Sequence, residues 1–359
     1  MKIQIRALVA ALAFTLPTIA LADGAAPLKP LGRTDLPGYE GDFDHFGADV
    51  KGNRLFLAGE EGGSFEVFDL HNGAHVKTVK NMGEPHAIYY DAKKDRIFVS
   101  SADESLSKIL DGKTYAVVGT VKLIPGADVM SYDASTNRLW FVVGGKNAPK
   151  KLPKVTVAQV DADTGKTLSE TQFDTDFTEG IVAEQHGSRV FVNVAGRSEI
   201  AVLDKKTGKV LATWPVKEGQ NNSAIDLDEK NKRLFIITRK PFKFVVVNTD
   251  DGQSVASFDA PGRTNGLVFD AANRRIYASG DDYIGVFAQE DADHYKEIAR
   301  VPSEKGAKTS YLVPEVGQLY LAVGGAKDTK AGLLRYAVTP GNAKWAPLQD
   351  VRTARPSAG

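Results

Sequence analysis

Residues Pro85 to Val121, PHAIYYDAKKDRIFVSSADESLSKILDGKTYAVVGTV, hold four short apolar or β-branched runs separated by polar turns. HAIYYD reads as a first strand and DAKKDR as the tight turn after it. RIFVSS is a second strand and SLSKILD a third, and DGKT turns the chain into a fourth, YAVVGTV. β-Branched and aromatic residues suit a pleated surface, whereas Gly, Asn and Asp suit turns. A single sheet of this kind cannot bury both of its faces alone.

The same pattern recurs through the chain. Unit one runs from Asp44 to Val79, and the quoted stretch is unit two. Unit three spans Asp128 to Phe173, unit four Glu179 to Val216, unit five Ser223 to Ala260, unit six Asn265 to Pro302, and unit seven Lys308 to Val338. The matched second strands are RLFLAG, RIFVSS, RLWFVV, RVFVNV, RLFIIT, RIYASG and QLYLAV. They are apolar on both faces, as a sheet buried between two others requires. Seven radially stacked four-stranded units predict an all-β fold, a seven-bladed β-propeller.

Unit seven shows only three clear strands. LKPLGRTDLPG, near the N-terminus, matches the fourth strand of unit four, KVLATWPVKEG, and occupies the fourth-strand slot in the repeat register. The expectation is that the N-terminal segment closes the ring in the last blade. The alternative is a closing strand from Ala343 to Val351. The chain thus divides into a leader peptide, 1–22, a segment with the closing strand, 23–43, the propeller, 44–338, and a tail, 339–359.

Met1 to Ala22 has the pattern of a secretory signal: Lys2 and Arg6, then the apolar run from Ala7 to Ala20, then Ala20-Leu21-Ala22 as a cleavage site. The run is short and interrupted by Pro17, so no membrane span is expected. The expected location is periplasmic. Among the 359 residues there is no cysteine, which excludes disulfides, thiolate metal sites and a Cys nucleophile. Lys+Arg and Asp+Glu both number 45, so nothing global suggests a nucleic acid as partner.

EGDFDHFGADVKGNRLFLAG, GKTYAVVGTVKLIPGAD, NKRLFIITRKP and DADHYKEIARVP together resemble the secreted bacterial YVTN/YncE-like β-propeller proteins, over essentially all of residues 28–338. The resemblance implies a binding or scaffold role.

Aligning the units on their second strands locates one ring of positions. Five residues before the end of each first strand stand Asp44, His86, Asp128, Glu179, Ser223, Asn265 and Lys308. All are polar. Two positions further on stand Phe46, Ile88, Met130, Ile181, Ile225, Leu267 and Ser310, so an apolar barrel begins just below the ring. This predicts a polar channel mouth that takes a small molecule or a protein partner. His45 and Glu84 are flanking candidates. Asp44, Asp128 and Glu179 form a candidate metal set. Oxygen ligands with one imidazole suit Ca²⁺, Mg²⁺ or Mn²⁺ better than a soft metal.

Basic loops add a second feature. GGKNAPKKLPK carries Lys146, Lys150, Lys151 and Lys154, and ITRKPFKF carries Arg239, Lys240 and Lys243 around Phe242. They are expected to fringe the mouth or simply to be solvated. DGKT at 111–114 and TGKT at 164–167 lack the earlier Gly of a phosphate loop, with Ser107 and Val160 in its place. DADTG at 161–165 lacks the later ligands of a calcium loop. His71, His75, His186 and His294 fall in turns, and Trp140, Trp214 and Tyr277 in strands as core.

The reading is therefore an exported, non-catalytic binding or scaffold module. The alternatives are a metal-assisted, lactonase- or lyase-like enzyme built on the mouth carboxylates and His, and a polyanion or nucleic-acid binder using the basic loops.

Overall fold

A computed structural model describes residues 26–341. The leader peptide, and the stretch 343–351 weighed as an alternative closing strand, lie outside the described residues. The chain forms seven four-stranded antiparallel sheets and almost no helix, arranged as the blades of a propeller. In blade two the strands are Pro85–Asp91, Arg96–Ser101, Leu106–Asp111 and Val117–Lys122, in consecutive order from the channel outward. No helix among the described residues is long and apolar enough to cross a membrane.

The second strands are the spine of the core, and alternation divides their side chains between two neighbours. In blade one, Leu55 and Leu57 pack toward blade seven with Tyr320, Ala322 and Leu333. Phe56 and Ala58 on the same strand pack toward blade two with Ile97, Val99 and Leu110. All four blade-one residues are fully buried. Trp140 and Tyr277 are likewise fully buried. Trp214 is not core: it lies on an outer strand and is half-buried, its ring tilted against that of Phe191 and lining a small surface cleft with Gly252. His75 begins an outer strand instead of ending in a turn, and its Nε2 lies 2.7 Å from the buried Glu66 carboxylate.

One contact recurs at every seam. The first residue of each second strand donates to a backbone carbonyl just after the third strand of the next blade. Arg96 Nη2 donates to Ala162 O at 2.8 Å, Arg138 Nη1 to Lys206 O at 3.4 Å, Arg233 Nε to Ala292 O at 2.8 Å and Arg275 Nη1 to Thr339 O at 2.6 Å. Arg54 and Arg189 donate in the same way to Gly112 and Thr249. In blade seven the position is Gln318, whose Nε2 donates to His71 O at 3.1 Å. Several of these arginines are also held in place by the acid that ends or directly follows their own first strand, as in Asp91–Arg96 at 2.8 Å and Glu184–Arg189 at 2.6 Å.

The ring closes as the repeat register requires. Leu28–Asp35 pairs antiparallel with Gly332–Val338 and becomes the outer strand of blade seven, with a bulge between Pro30 and Gly32. Leu28 is 2% exposed and packs against Tyr277, Ile284 and Leu334, whereas Leu31 is 44% exposed. Removing a buried leucine leaves a cavity and costs about 2–5 kcal/mol. Leu28→Ala is therefore expected to lower the urea unfolding free energy by about 2–4 kcal/mol. Leu31→Ala should stay within about 0.5 kcal/mol of the parent. Equal effects would mean that the N-terminal strand does not close the ring.

Candidate functional site

The first strands are short and surround the channel, so their leading residues converge at one end. Phe46, Ile88, Met130, Ile181, Ile225, Leu267 and Ser310 all line the channel interior. Directly above them lies a cavity of about 340 Å³. Asp44, His86, Asp128, Glu179, Asn265 and Lys308 line it, joined by Glu60, Asn147, Arg239, Phe242 and Arg263. Six of the seven aligned positions thus meet.

Ser223 does not reach the mouth. It is fully buried, and its carbonyl accepts from Gly180 N at 3.1 Å and Asn193 Nδ2 at 2.6 Å. His45 lines the channel below the mouth, with Nε2 3.6 Å from Asp44 Oδ1. Lys150, Lys151 and Lys240 are exposed and stay outside the cavity lining. Of the basic side chains in these loops Arg239 lines the cavity, beside Asn147 and Phe242 from the same loops, and Lys146 approaches Glu179 at 3.7 Å over the ring of Phe177.

His86 is the centre of the arrangement. It is buried, and its Nδ1 lies 2.8 Å from Asp44 Oδ2 and 3.4 Å from Asp128 Oδ1. Asn265 Nδ2 donates to Asp44 Oδ1 at 3.1 Å, and Asn147 Nδ2 donates to Asp128 Oδ2 at 2.6 Å. The other ring nitrogen of His86, Nε2, is buried without a hydrogen-bond partner. Its nearest charged neighbour is Glu84 Oε1 at 4.0 Å.

Glu179 is drawn elsewhere. Its carboxylate accepts from Arg239 at 3.1 and 3.3 Å. The trio Asp44, Asp128 and Glu179 is therefore not a common ligand set; with those two aspartates it is the His86 imidazole, not Glu179, that clusters tightly. Lys308 Nζ lies 2.7 Å from Asp42 Oδ2, and Arg263 lies 3.6 Å from Asp42 and 3.8 Å from Asp281. The cavity is polarised. Cations come from blades five to seven, and carboxylates with His86 from blades one to four.

Burial and crowding shift the acids and the imidazole. Burial opposes charge on His86, but the hydrogen bond to Asp44 and the charges of Asp128, Asp44 and Glu60 override it and push its pKa up to about 10. Burial, with Asp44, Glu179 and Glu60 nearby, pushes Asp128 up to about 8 against the opposing charge of His86. Burial and the Asp44 charge push Glu60 up to about 7. Burial alone would raise Asp44 too, yet His45, His86 and Lys308 hold it well below the usual carboxylate range. His86 is thus an imidazolium at neutral pH, facing an ionised Asp44.

Glu60, Asn147, Phe242 and Arg263 escape a reading based on one ring of first-strand positions. Three of them sit in or beside loops joining second to third strands, which arch over the same face. The adjacent pair Glu60-Glu61 in the blade-one loop was the available signal.

A family model described as outer membrane protein assembly factor BamB matches residues 153–282, from blade three into blade six. No curated protein matches the chain. Among solved structures, a chain of "Crystal Structure of Mitotic Checkpoint Complex" is similar at 13% identity and a TM-score of 0.69, over 93% of this chain and 100% of that one. These likenesses define the class, a β-propeller repeat protein.

A group whose pKa is raised by folding binds its proton more tightly in the native state. The His86 contribution is fully present below about pH 6.5 and is lost as pH rises through about 10. Asp128 acts in the same direction between its ordinary value and about 8. The unfolding midpoint of the metal-free protein should therefore fall between pH 6.5 and 10. His86→Gln should flatten the part of that fall above pH 8, read by thermal denaturation across the series. An unchanged profile would mean that His86 is not held charged.

Proposed function

We propose that this protein is an exported binding module that takes a small anionic or zwitterionic molecule at the channel mouth. The observation that carries the reading is the polarised cavity. Arg239, Arg263 and Lys308 converge on one side with the Phe242 ring, and Asp44, Glu60, His86 and Asp128 on the other. Gathering ionisable groups in a buried place is expensive, and strongly shifted groups that line a cleft are candidates for a functional site. The ion pairs of Arg263 are longer than hydrogen bonds, at 3.6 and 3.8 Å, so its planar donors are suited to a carboxylate or phosphate entering the mouth.

Further support comes from the sequence. The leader pattern at 1–22 fits export to a periplasm, and the YVTN/YncE-like strings fit a binding or scaffold role. The likeness over residues 153–282 to an outer membrane protein assembly factor supports the same kind of role.

The test is thermal denaturation of the metal-free protein, in chelator, with acetate, malate, citrate and inorganic phosphate. A ligand at about 100 times its Kd stabilises the native state by about 2.7 kcal/mol. At least one of these anions should raise the midpoint in a saturable way. The shift should shrink strongly in Arg239→Gln and in Arg263→Gln. Absence of any saturable shift, or a shift indifferent to both variants, would overturn the reading.

A further inference from the structure

We propose that the acidic side of the mouth holds one divalent first-row cation, bound by His86 Nε2, Glu60 and Glu84. This deepens the reading of the mouth as a ligand site. His86 is 6% exposed, and its Nε2 has no hydrogen-bond partner. A buried polar nitrogen without a partner costs about 1–3 kcal/mol, and native proteins seldom leave one without a reason. The reason here is on the side Nε2 faces. One carboxylate oxygen from Glu60, one from Glu84 and a ring nitrogen of His86 all lie within 4.8 Å of one another.

The backbone prepares this set. Glu84 lies in the bend just before the first strand of blade two, two residues ahead of His86, and its Oε1 comes within 4.0 Å of His86 Nε2. The amide of Glu84 is fixed by Asp103 Oδ1 at 2.9 Å. Glu60 faces them from the loop that follows the second strand of blade one, which ends at Gly59. Glu60 and Glu84 are both only partly buried, so their side chains are able to draw in toward a cation.

The far side of the imidazole is arranged as in many metal sites. A metal-bound His commonly gives its other N–H to a carboxylate, which fixes ring orientation and tautomer. Here Nδ1 donates to Asp44 Oδ2 at 2.8 Å, and Asn265 braces Asp44 from behind. The cation replaces the proton on Nε2, which is released to solvent. The competing cluster, Asp44 with His86 and Asp128, is the weaker choice. There Nδ1 is already engaged, and Asp128 Oδ2 is taken by Asn147 at 2.6 Å. Two carboxylates and one imidazole suit Mn²⁺ or Zn²⁺, with the open positions facing the cavity and the cationic wall opposite.

The test uses Mn²⁺ alone, added to the full chain after chelator treatment, with free Mn²⁺ read by electron paramagnetic resonance. The expected result is one Mn²⁺ per chain. Glu60→Gln and Glu84→Gln should each weaken binding by about 10-fold or more, and the double variant should abolish it. Asp44→Asn, which alters the carboxylate that orients the ring but removes none of the three ligands, should weaken it by about 10–100-fold. Glu61→Gln is the control and should bind as the parent does. Circular dichroism of each variant reports folding, so loss of binding is separated from loss of structure. No stoichiometric binding, or binding retained by the Glu60/Glu84 double variant, overturns the inference. Loss in Asp128→Asn with Glu60→Gln and Glu84→Gln unaffected moves the ion to the other cluster and also overturns it. Because the anion experiment runs in chelator, its failure and the failure of this one are separate results.

Discussion

Each seam between blades is spanned by a side-chain donor reaching from the start of one second strand to a carbonyl of the next blade, and the geometry of the ring follows from that repetition. Six of the seven donors are arginines, and the seventh is Gln318. A charged donor on a partly buried carbonyl contributes about 1.5–3 kcal/mol. More important is direction: the planar guanidinium, fixed at its own blade by an acid five residues earlier in the cases of Asp49, Asp91 and Glu184, sets the position of the next sheet. The apolar faces alone are less exacting, because Leu, Val and Phe pack acceptably over a range of angles. The last seam is the one place where the chain must return to its beginning. There Leu28–Asp35 supplies the outer strand, and Arg33 Nε meets Glu304 at 3.1 Å across the join.

Regular seams place seven equivalent backbone positions around one axis. What they present is then a matter of single residues, free of the packing that fixes the strands behind them. The mouth uses that freedom to hold opposite charges on opposite sides. Arg239 and Glu179 neutralise each other at one edge, while the imidazolium of His86 sits between Asp44 and Asp128 at the other. Removing His86 leaves two buried carboxylates facing each other, so the cluster is interdependent, and one substitution changes the charge of several neighbours. A cleft of about 1030 Å³ over the closing seam is larger, but Gly, Pro and Ala make up much of its lining and no comparable charged cluster is buried there.

The fold was legible because the repeat is written in each second strand: RIFVSS and RLFIIT carry the same two-faced apolar pattern, and the turns between them carry Asp, Asn and Gly. The ring of mouth residues was legible for the same reason, since register alone places Asp44, His86 and Asp128 together. Ser223 keeps the register, its amide donating to Ile237 O as Glu179 N does to Asn193 O, but its short side chain is fully buried and does not line the cavity. Lys150, Lys151 and Lys240 were harder to place, because the direction of an inserted loop depends on its own turns and not on the repeat. Glu60 was missed because a loop residue has no periodic signature; only the fold shows that it overhangs His86. The pairing of Glu179 with Arg239 joins residues 60 apart in sequence and is set by blades four and five lying side by side.

The most direct measurement is anomalous X-ray diffraction from a crystal of the chain soaked in Mn²⁺. The account predicts one anomalous peak inside the mouth, at bonding distance from His86 Nε2 and from carboxylate oxygens of Glu60 and Glu84. A mouth without anomalous density, or a peak bound by Asp44 and Asp128 on the Nδ1 side, would contradict it.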